Sequence, residues 1–551
     1  MAACEALQAQ GYSPLLARLM AARGVVSADS QQQALPHLIK PEALLGCSQM
    51  ATLLADAILQ KKRILIVGDY DADGATATCV AMLGLQTMGA QVDFLVPNRF
   101  EYGYGLTPEI VALAAQQQPD VILTVDNGIA SIEGVAAAKQ IGLQVLITDH
   151  HLPAEQTPVA DCIVNPNQRG CAFPSKHLAG VGVMFYVLIA LRAELKQRGM
   201  LAENAVHLAG LLDLVALGTV ADLVRLDSNN RILVAQGLKR IRQGHACPGI
   251  LAILKLAGRE PSQVNAQDLG FYLGPRINAA GRLDDMAIGI RCLLAKTDEE
   301  AMRYARQLHA LNAERKQIEA EMQWDAMADL QSDFQASQYT ISVYQPDWHQ
   351  GVIGILASRI KERYHRPVIA FADASDGLIK GSGRSIPGLH LRDALDLVTK
   401  RSPDIIVKFG GHAMAAGLTI RMHDFVRFQQ IFEQVVKSLI SAEILQEVLE
   451  MDGPLALQEM TLGTAELLAN EVWGQGFPQP VFYDRFEILQ QRVLAEKHLK
   501  LRLQKQGQVF EAIYFQHADP LPDQIDLAYA LQVNEFNGNR SLQLQVVHAV
   551  V

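Results

Sequence analysis

Three aspartates lie within five residues of one another, directly after a short apolar run. The run Ile64–Val67 is followed by Gly-Asp-Tyr-Asp-Ala-Asp-Gly, which contains Asp69, Asp71 and Asp73. A single aspartate before a helix would serve as an N-cap, because its carboxylate accepts a hydrogen bond from the first turn. Three on one turn repel one another unless a cation binds, and hard oxygen ligands at this density favour Mg²⁺ or Mn²⁺.

Acidic and imidazole groups also directly follow two later apolar runs. Asp126 follows Val-Ile-Leu-Thr-Val, and Asp149, His150 and His151 follow Val-Leu-Ile-Thr. If these runs are strands of one parallel sheet, their carboxyl ends meet at one edge and the side chains converge. The imidazoles shift the preference towards Mn²⁺, because nitrogen ligands suit transition metals.

A further apolar stretch contributes Asp213 and Asp222. Together these groups predict a site for one or two divalent ions, and the alternative is a set of unrelated helix caps and turn residues. Clustered ions indicate hydrolysis at phosphorus, because they lower the pKa of bound water and polarise the phosphoryl oxygen.

A sheet is needed to position these groups, and the segment from Arg63 to Thr148 alternates short β-branched runs with helix-length amphipathic stretches. That alternation predicts a parallel sheet covered by helices on both faces. The predicted strands are Ile64–Val67, Val92–Val96, Val121–Val125 and Val145–Thr148, and the predicted helices are Ala75–Met88, Pro108–Gln117 and Ile132–Gln140.

The rest of the chain divides into regions by pattern. Residues 178–295 are predicted to be mainly helical, and Asp298–Gln331 lacks Gly and Pro, which predicts one long helix or, alternatively, two shorter packed helices. A second α/β unit starts near Tyr339, and the period-two alternation around residues 499–503 indicates antiparallel strands of a small barrel or sandwich. The apolar runs of the second unit are Ile341–Tyr344, Pro367–Phe371 and Ile405–Phe409, and a turn is expected at Asn537–Asn539.

The motifs GDYDADG, VDNG, TDHH and GTVAD occur in the order found in the DHH phosphoesterase superfamily, which the chain resembles. Lys408–Gly417, KFGGHAMAAG, is similar to the Gly-Gly-His motif of the DHHA1-type domain that accompanies it. The stretches PNRFEYGYGL, GPRINAAGRL, WHQGVIGILASRI and GSGRS narrow the resemblance to the bacterial single-stranded-DNA-specific exonucleases of that superfamily. The resemblance covers nearly the whole chain.

The resemblance implies a fold of the α/β class. A parallel-sheet DHH domain would be joined by a long helix to a second α/β domain of the DHHA1 type, and a C-terminal β-barrel like an OB-fold would follow. The expected division is an N-terminal helical segment over residues 1–60, the DHH catalytic domain over 61–295, the connecting helix over 296–335, the DHHA1-type domain over 336–448 and an OB-fold-like single-strand-binding domain over 449–551.

The resemblance also implies the reaction. It would be processive 5′→3′ hydrolysis of single-stranded DNA to 5′-mononucleotides by metal-activated water, in DNA recombination and repair, with one or two Mn²⁺ or Mg²⁺ ions as cofactor. The implied metal ligands are Asp71, Asp73, Asp126, His150 and Asp222, and Asp69, Asp149 and His151 would be either further ligands or supports for them.

Basic and glycine-rich motifs indicate where a strand would bind. Arg99 after a strand end, and Ser382 with Arg384 in GSGRS, have the groups to grip a terminal phosphate. The alternative for the arginines is an ion pair with Glu101 or another carboxylate. His412 is expected to reach the scissile phosphate, or else to be a solvated histidine on a glycine turn.

A second basic motif leaves two interpretations open. Arg276, Asn278 and Arg282 in GPRINAAGR would either contact strand phosphates or form a helix-capping turn. The role of His349 is undecided for the same reason. Trp348 beside it is either a core residue or a base-stacking platform.

The net charge on its own argues against a nucleic-acid partner. Lys and Arg total 48 against 58 Asp and Glu, a formal charge of −10, whereas nucleic-acid binders usually carry a basic excess. Between Lys61 and Arg225, however, 16 acids and 11 bases give −5, and setting aside the six aspartates of the metal motifs gives +1. Two basic runs, within 359–366 and 485–505, are candidate DNA contacts, with solvated charge as the alternative.

Cysteine usage and the N-terminus bear on the compartment. The seven cysteines include no CxxC pair, which predicts buried thiols in a reducing compartment, and no signal peptide or membrane-length apolar run is evident. We therefore expect a cytoplasmic monomer without a membrane partner. Single-stranded DNA is the expected partner, with a helicase and a single-strand-binding protein as further candidates.

Two rival functions stay open from the sequence. One is a phosphodiesterase of the same superfamily that acts on short oligonucleotides or cyclic dinucleotides, and the C-terminal β region argues against it. The other is a non-catalytic replication scaffold of the same fold, and the complete set of acids and histidines argues against that.

Overall fold

The computed structural model describes residues 2–27, 33–98, 102, 105–202, 205–536 and 538–550. Contacts between residues divide the chain into two compact units. The first unit comprises Met1–Gly281, Asp285–His309 and Glu450–Val551, and the second comprises Arg282–Asp284 and Ala310–Leu449.

Five strands form the central sheet of the first unit: β1 Arg63–Val67, β2 Gln91–Leu95, β3 Val121–Val125, β4 Gln144–Thr148 and β5 Cys162–Val164. Their order is β2-β1-β3-β4-β5, and every neighbouring pair is parallel. Leu65 and Ile122 of the sheet share one hydrophobic cluster with Ile110 and Val135 of the crossover helices. The predicted parallel sheet is confirmed, and its four predicted strands lie within one residue of their observed bounds.

Helices surround this sheet and continue after it. The first crossover helix begins at Ala72, three residues before its predicted start, because Asp71 caps it. The helices are α1 Ala2–Ala9, α2 Pro14–Ala22, α3 Cys47–Leu59, α4 Ala72–Thr87, α5 Pro108–Ala115, α6 Ile132–Gln140, α7 Gly180–Gln197, α8 Leu212–Ala221, α9 Ser228–Arg242, α10 Pro248–Leu256, α11 Gly274–Leu283 and α12 Ala287–Leu294. A short turn Ala266–Asp268 and a π-helical turn Leu269–Leu273 precede α11.

A single long helix follows, α13 Asp298–Asp333, and it runs for 36 residues without a break. This confirms one helix rather than two shorter ones. At ~1.5 Å per residue it is about 54 Å long. Its residues up to His309 make their contacts within the first unit, and those from Ala310 onward within the second.

The second unit is built on a mixed sheet. Strands β6 and β7 are parallel and the remaining neighbours are antiparallel, in the order β6-β7-β8-β10-β9. Phe371, Phe428 and Phe432 lie at the centre of its core. The elements are β6 Ile341–Tyr344, α14 Ile353–Tyr364, β7 Val368–Asp373, β8 Leu378–Arg384, α15 Leu391–Arg401, β9 Ile406–Gly411, β10 Ala415–Arg421 and α16 Phe425–Leu439.

The C-terminal region is a closed five-stranded barrel within the first unit. Its strands follow the order β11-β12-β13-β15-β14, and only the β13–β15 pair is parallel. Leu499, Leu501 and Leu503 are buried, so the predicted alternation is confirmed. Asn537 of the predicted turn lies outside the described residues. The elements are α17 Leu462–Asn470, β11 Phe482–Leu494, β12 His498–Lys505, β13 Gln508–Tyr514, β14 Gln524–Phe536 and β15 Asn539–Val550.

Among the described residues, no single helix has both the length and the apolar character needed to cross a membrane. One pair, Leu35–Ala43 with Cys47–Leu59, meets the length and composition test together but bends by 84°. All seven cysteines carry free thiols.

Candidate metal centre

One histidine and three carboxylates converge at the carboxyl edge of the parallel sheet. His150 Nε2 lies 3.1 Å from Asp126 Oδ1, 3.4 Å from Asp222 Oδ2 and 3.9 Å from Asp73 Oδ2. These residues come from four separate segments of the sequence. The convergence expected from the strand ends is therefore present, and it includes Asp222 at the end of α8.

Potential ligand atoms form three overlapping groups, and within each group the atoms lie within 4.8 Å of one another. The groups are Asp126 with His150 and His151, Asp73 with His150 and Asp222, and Asp69 with Asp71 and Asp126. All five implied ligands are thus brought together, and so are Asp69 and His151.

The sheet ladder places Asp126 and Asp149 at neighbouring strand ends. The backbone N–H of Asp126 donates to Thr148 O, and that of Asp149 donates to Val164 O. Asn127 Nδ2 donates to Val67 O at 3.0 Å and to Val125 O at 2.9 Å, so this amide joins the ends of β1 and β3.

Backbone N–H groups hold two aspartates of the first motif. Asp71 is the N-cap of α4, and its Oδ1 accepts from the N–H groups of Asp73 and Gly74. Asp73 accepts from Gly180 N–H at 2.6 Å and from Val181 N–H at 2.9 Å, at the start of α7. The helix N-terminus favours the negative charge of Asp73.

Asp149 supports His151 rather than joining the three groups. Its Oδ1 accepts from His151 Nδ1 at 2.7 Å and from His150 N–H at 2.7 Å, and its Oδ2 accepts from Ile129 N–H. Burial lowers the pKa of His151, but the bond to Asp149 outweighs it and the pKa rises to about 9. His151 is therefore a cation at neutral pH, and the same bond helps to lower the pKa of Asp149 against the effect of burial.

Burial and like charge shift the other pKa values upward. Burial, with the charge of Asp222, raises the pKa of Asp73 to about 7. Burial is the main cause that raises the pKa values of Asp126 and Asp222 well above their ordinary value, and the negative charges of neighbouring aspartates are the second. Burial and the charge of His151 lower the pKa of His150, so its imidazole is neutral and has a lone pair for a metal.

Two atoms of this centre show that it suits a cation. Asp126 Oδ1 and His150 Nε2 are buried and have no hydrogen-bond partner among the described residues. Buried polar atoms without partners are costly, whereas a divalent ion between a carboxylate and an imidazole would satisfy both. The oxygen-rich set with the one neutral imidazole of His150 fits Mn²⁺ and Mg²⁺.

Asp213 lies outside this cluster. It sits in the first turn of α8, and its Oδ2 accepts from Cys247 N–H at 2.7 Å. Its role in the described structure is to join α8 to the start of α10.

Two residues of the GPRINAAGR motif lie in the first unit, where their contacts differ. Asn278 Oδ1 accepts from Ala72 N–H at 2.7 Å, so it satisfies the first turn of α4. This matches the helix-capping interpretation. Arg276 is 7% exposed, donates to Tyr272 O at 2.6 Å, and makes no ion pair with a carboxylate in the described part of the chain.

Ser382 and Arg384 lie on β8 in the second unit. Ser382 is flanked by Ala370 and Gly417 in the sheet, so the backbone of this stretch is occupied by strand pairing and the side chains remain available. Arg384 donates to Ser382 Oγ and Gly383 O, and within the described residues it has no carboxylate partner. The alternative of an ion pair is therefore not observed for Arg384.

The remaining predicted residues have diverse surroundings. Arg282 donates to Gly351 O at 3.0 Å, and His349 Nδ1 accepts from Gly351 N–H. His412 is exposed on the connection between β9 and β10, with its N–H on Ala415 O. Trp348 is 5% exposed and is a core residue, not a stacking platform, and Arg99 lies outside the described residues.

Several members of the two basic runs are engaged within the protein. Arg366 donates to five backbone carbonyls, and Arg359 pairs with Glu319. On the barrel, Lys500 and Arg502 flank Glu511 at 3.2 and 3.5 Å. These contacts neutralise or occupy part of the positive charge that made the two basic runs candidate DNA contacts.

Several positioning residues were missed from the sequence. Asn165 Nδ2 donates to His151 O, and Asn167 Nδ2 donates to His150 O, so both amides hold the two-histidine turn. They follow β5, the short strand that the pattern did not reveal. The Asn-Pro-Asn sequence after a buried Val164 was the available signal, because polar residues at a strand end mark the functional edge of the sheet.

Comparisons with known proteins agree with this arrangement. The chain matches the family descriptions "DHH family, N-terminal domain" over residues 63–219, "DHHA1 domain" over 336–438 and "RecJ OB domain" over 451–548. It is 51% identical over 551 residues to the single-stranded-DNA-specific exonuclease RecJ of Dickeya dadantii, covering 97% of this chain and 95% of that protein.

Two solved structures share the fold. The crystal structure of RecJ in complex with Mn²⁺ from Thermus thermophilus superposes with a TM-score of 0.83 at 29% identity, covering 100% of this chain and 78% of that chain. The complex with Mg²⁺ from the same organism gives a TM-score of 0.76 at 28% identity, covering 100% of this chain and 76% of that chain.

Proposed function

The chain belongs to the RecJ family of single-stranded-DNA-specific exonucleases, and we propose that it removes nucleotides one at a time from the 5′ end of a strand. The observation that carries the proposal is the convergence of His150 on three carboxylates within 3.9 Å. Its cofactor is Mn²⁺ or Mg²⁺. The parallel-sheet domain, the second α/β domain and the five-stranded barrel are the parts through which it would act.

The side chains divide into ligands and supports. Asp71, Asp73, Asp126, His150 and Asp222 would hold one or two ions, with Asp69 as a further ligand. When bound, such ions lower the pKa of water and polarise the scissile phosphodiester. Asp149 fixes the ring of His151, and the protonated His151 adds positive charge beside the place where the phosphate must bind.

Strand binding would rest first on two arginines for which the described residues supply no acidic partner. Half-buried Arg384 with Ser382 is suited to a terminal phosphate, because a partly desolvated guanidinium that has no carboxylate partner among the described residues gains most from an anion. Arg276 has the same character in the first unit. We assign Arg99 and Arg282 to the same strand and His412 to the scissile phosphate as proposals from the motif resemblance.

The cellular setting is also part of the proposal. A single-strand exonuclease needs unwound DNA, so a helicase and a single-strand-binding protein are its natural partners in recombination and repair. Seven free thiols suit the reducing cytoplasm, and we propose that the protein acts there as a monomer. Fractionation of cells and the mass of the purified protein in solution test these two points.

The direct test is hydrolysis of strands labelled at either end, with Mn²⁺ or Mg²⁺. We expect 5′-mononucleotides from the 5′ end, near-abolished cleavage by Asp126→Ala, and unchanged cleavage by Asp56→Asn, a carboxylate paired with Arg198 away from the centre. Arg384→Ala should weaken the preference for a 5′-phosphate over a 5′-hydroxyl.

Three other results would each contradict the proposal. Release from the 3′ end would reverse the polarity. Efficient cleavage of dinucleotides alone would indicate a short-substrate phosphodiesterase, and absence of any metal-dependent release would indicate a non-catalytic scaffold.

A further inference from the structure

A large aromatic side chain is exposed on an unusual turn beside the metal centre. Phe271 is 75% exposed, although phenylalanine is normally buried. It lies on the π-helical turn Leu269–Leu273, which directly precedes α11. Single π-turns of this kind interrupt regular helices mostly at functional sites, because they redirect the side chains that they carry.

Two glycines place this turn against the helix that leads to a metal ligand. A Cβ built on Gly270 would lie 3.4 Å from Val220 Cγ1, and one built on Gly274 would lie 3.1 Å from Ala221 Cβ. Val220 and Ala221 are the two residues before Asp222. The turn that exposes Phe271 is therefore packed on the end of α8 where Asp222 enters the metal centre.

A second exposed apolar side chain follows Asp222 directly. Leu223 is 69% exposed and has a φ of 58°, a left-handed conformation that a branched aliphatic residue rarely adopts. A backbone conformation of this cost persists where the surrounding structure imposes it, and such positions cluster at functional sites. Phe271 and Leu223 thus present apolar surface on the two segments that meet beside Asp222.

The aromatic residue next to Phe271 is already covered by another side chain, whereas the ring of Phe271 is open to solvent. The guanidinium of Arg259 lies over the ring of Tyr272 at 4.1 Å. Arg276, one turn further on, holds the carbonyl of Tyr272. The neighbouring aromatic and cationic groups therefore fix the turn, while the ring of Phe271 remains in solvent.

We propose that Phe271 is the surface on which nucleobases of the bound strand stack as the strand enters the metal centre, with Leu223 as a second exposed apolar side chain next to Asp222. The inference rests on the proposed exonuclease function. An apolar ring has no hydrogen-bonding pattern to match, so it accepts any base, as an enzyme that degrades strands of any sequence requires. The same surface favours unpaired bases, because only these offer a free face.

The experiment compares wild type with Phe271→Ala, Phe271→Trp and Trp324→Ala on single strands, some of which carry one abasic site near the 5′ end. Trp324 is the matched control, since it is 79% exposed but lies on α13 in the second unit. We expect Phe271→Ala to raise KM roughly tenfold to a hundredfold with little change in kcat, because stacking stabilises the bound strand. Phe271→Trp should restore KM, and Trp324→Ala should leave it unchanged.

The abasic strands separate stacking from a structural effect. At one position near the 5′ end, loss of the base should raise KM for wild type but not further for Phe271→Ala. The proposal is overturned if Phe271→Ala matches wild type, or if its defect is equally large on every abasic strand. If wild type itself releases no nucleotides with Mn²⁺, the proposed function fails instead, and fluorescence titration of strand binding without metal still tests the stacking.

Discussion

Gly180 and Asp126 fit together so closely that position 180 accepts only glycine. A Cβ at this position would lie 2.5 Å from Asp126 Oδ1, and the Gly180 N–H donates to Asp73. Gly180→Ala should therefore displace metal ligands and lower Mn²⁺-dependent activity by ~10-fold or more, as loss of a ligand's support does elsewhere. Helix propensity alone predicts the opposite, since alanine favours a helix more than glycine.

The measurement for this variant is kcat together with the Mn²⁺ concentration that gives half-maximal activity. Gly210→Ala is the control, because a Cβ there meets nothing within 4 Å. Equal Mn²⁺ requirements for the two variants would show that the contact between Gly180 and Asp126 does not position the ligand.

The crowding of carboxylates also links stability to pH and metal. Because the pKa of Asp73 is raised from 3.8 to about 7, the folded metal-free protein binds a proton that the unfolded chain releases between these values. Metal-free protein should then become less stable as the pH rises from about 4 to about 7. Mn²⁺ displaces that proton, so its stabilising effect should grow over the same range.

Thermal unfolding with and without Mn²⁺, at about pH 5 and about pH 7, checks this linkage. We expect the increase in Tm caused by Mn²⁺ to be larger at the higher pH. An increase that is the same at both values would mean that Asp73 and its neighbours do not exchange protons for metal.

At the scale of elements, α11 is joined to the start of α4 by one side chain. Asn278 Oδ1 accepts from Ala72 N–H across 206 residues of sequence. Asn278→Ala should lower the free energy of unfolding by about 1–3 kcal/mol, the cost of a buried donor left without its partner. Asn278→Asp keeps an acceptor and should restore most of that stability.

Activity assays on the same variants distinguish capping from phosphate binding. If Asn278 only caps α4, KM for the strand should change little and the loss should appear in kcat and Tm. A large rise in KM for Asn278→Asp without a change in Tm would instead assign Asn278 to a strand phosphate.

The elements themselves were predictable where one local pattern determined them. The strands β1 to β4 and the helix α13 followed from apolar runs and from the absence of Gly and Pro. Strand β5 was not predicted because it has only three residues. The start of α4 was predicted three residues too late because it depends on the Asp71 cap rather than on periodicity. The hydrogen bond between Asn278 and Ala72 was not predictable, since no spacing in the sequence encodes a contact between distant segments.

At the scale of the whole molecule, several basic side chains of the barrel are paired with acids. Glu511 lies between Lys500 and Arg502, and Lys505 pairs with Asp484 at 2.6 Å. Lys500→Ala with Arg502→Ala should weaken strand binding and reduce the slope of its salt dependence by about 1.4, since each contact with a single strand contributes ~0.7. Glu511→Gln removes the competing anion and should change both quantities in the opposite direction.

Binding titrations at several salt concentrations measure both effects, with Lys400→Ala as the control because Lys400 pairs with Asp396 on α15. If Glu511→Gln and the double variant leave affinity and salt slope unchanged, the strand does not use this face of the barrel.

Residues 450–481, which lead into the barrel, are joined to the N-terminal part of the first unit. Arg23 forms two bonds to the carboxylate of Asp452, and Leu226 N–H donates to Gln475 O. Sequence patterns located the barrel correctly, but they count charges without their partners. Point substitutions on its outer face therefore test DNA binding more cleanly than removal of residues 450–551.

Asn127 has a consequence for how the protein ages. Asparagine followed by glycine is the pair most prone to deamidation, since the nitrogen of Gly128 can attack the side-chain amide of Asn127. Here that amide is 3% exposed and its nitrogen is held by Val67 O and Val125 O, so the folded state protects it. Chemical damage at this position should accumulate only in chains that have opened, and mass spectrometry of stored enzyme would then record how often the sheet edge beside the metal ligands has come apart.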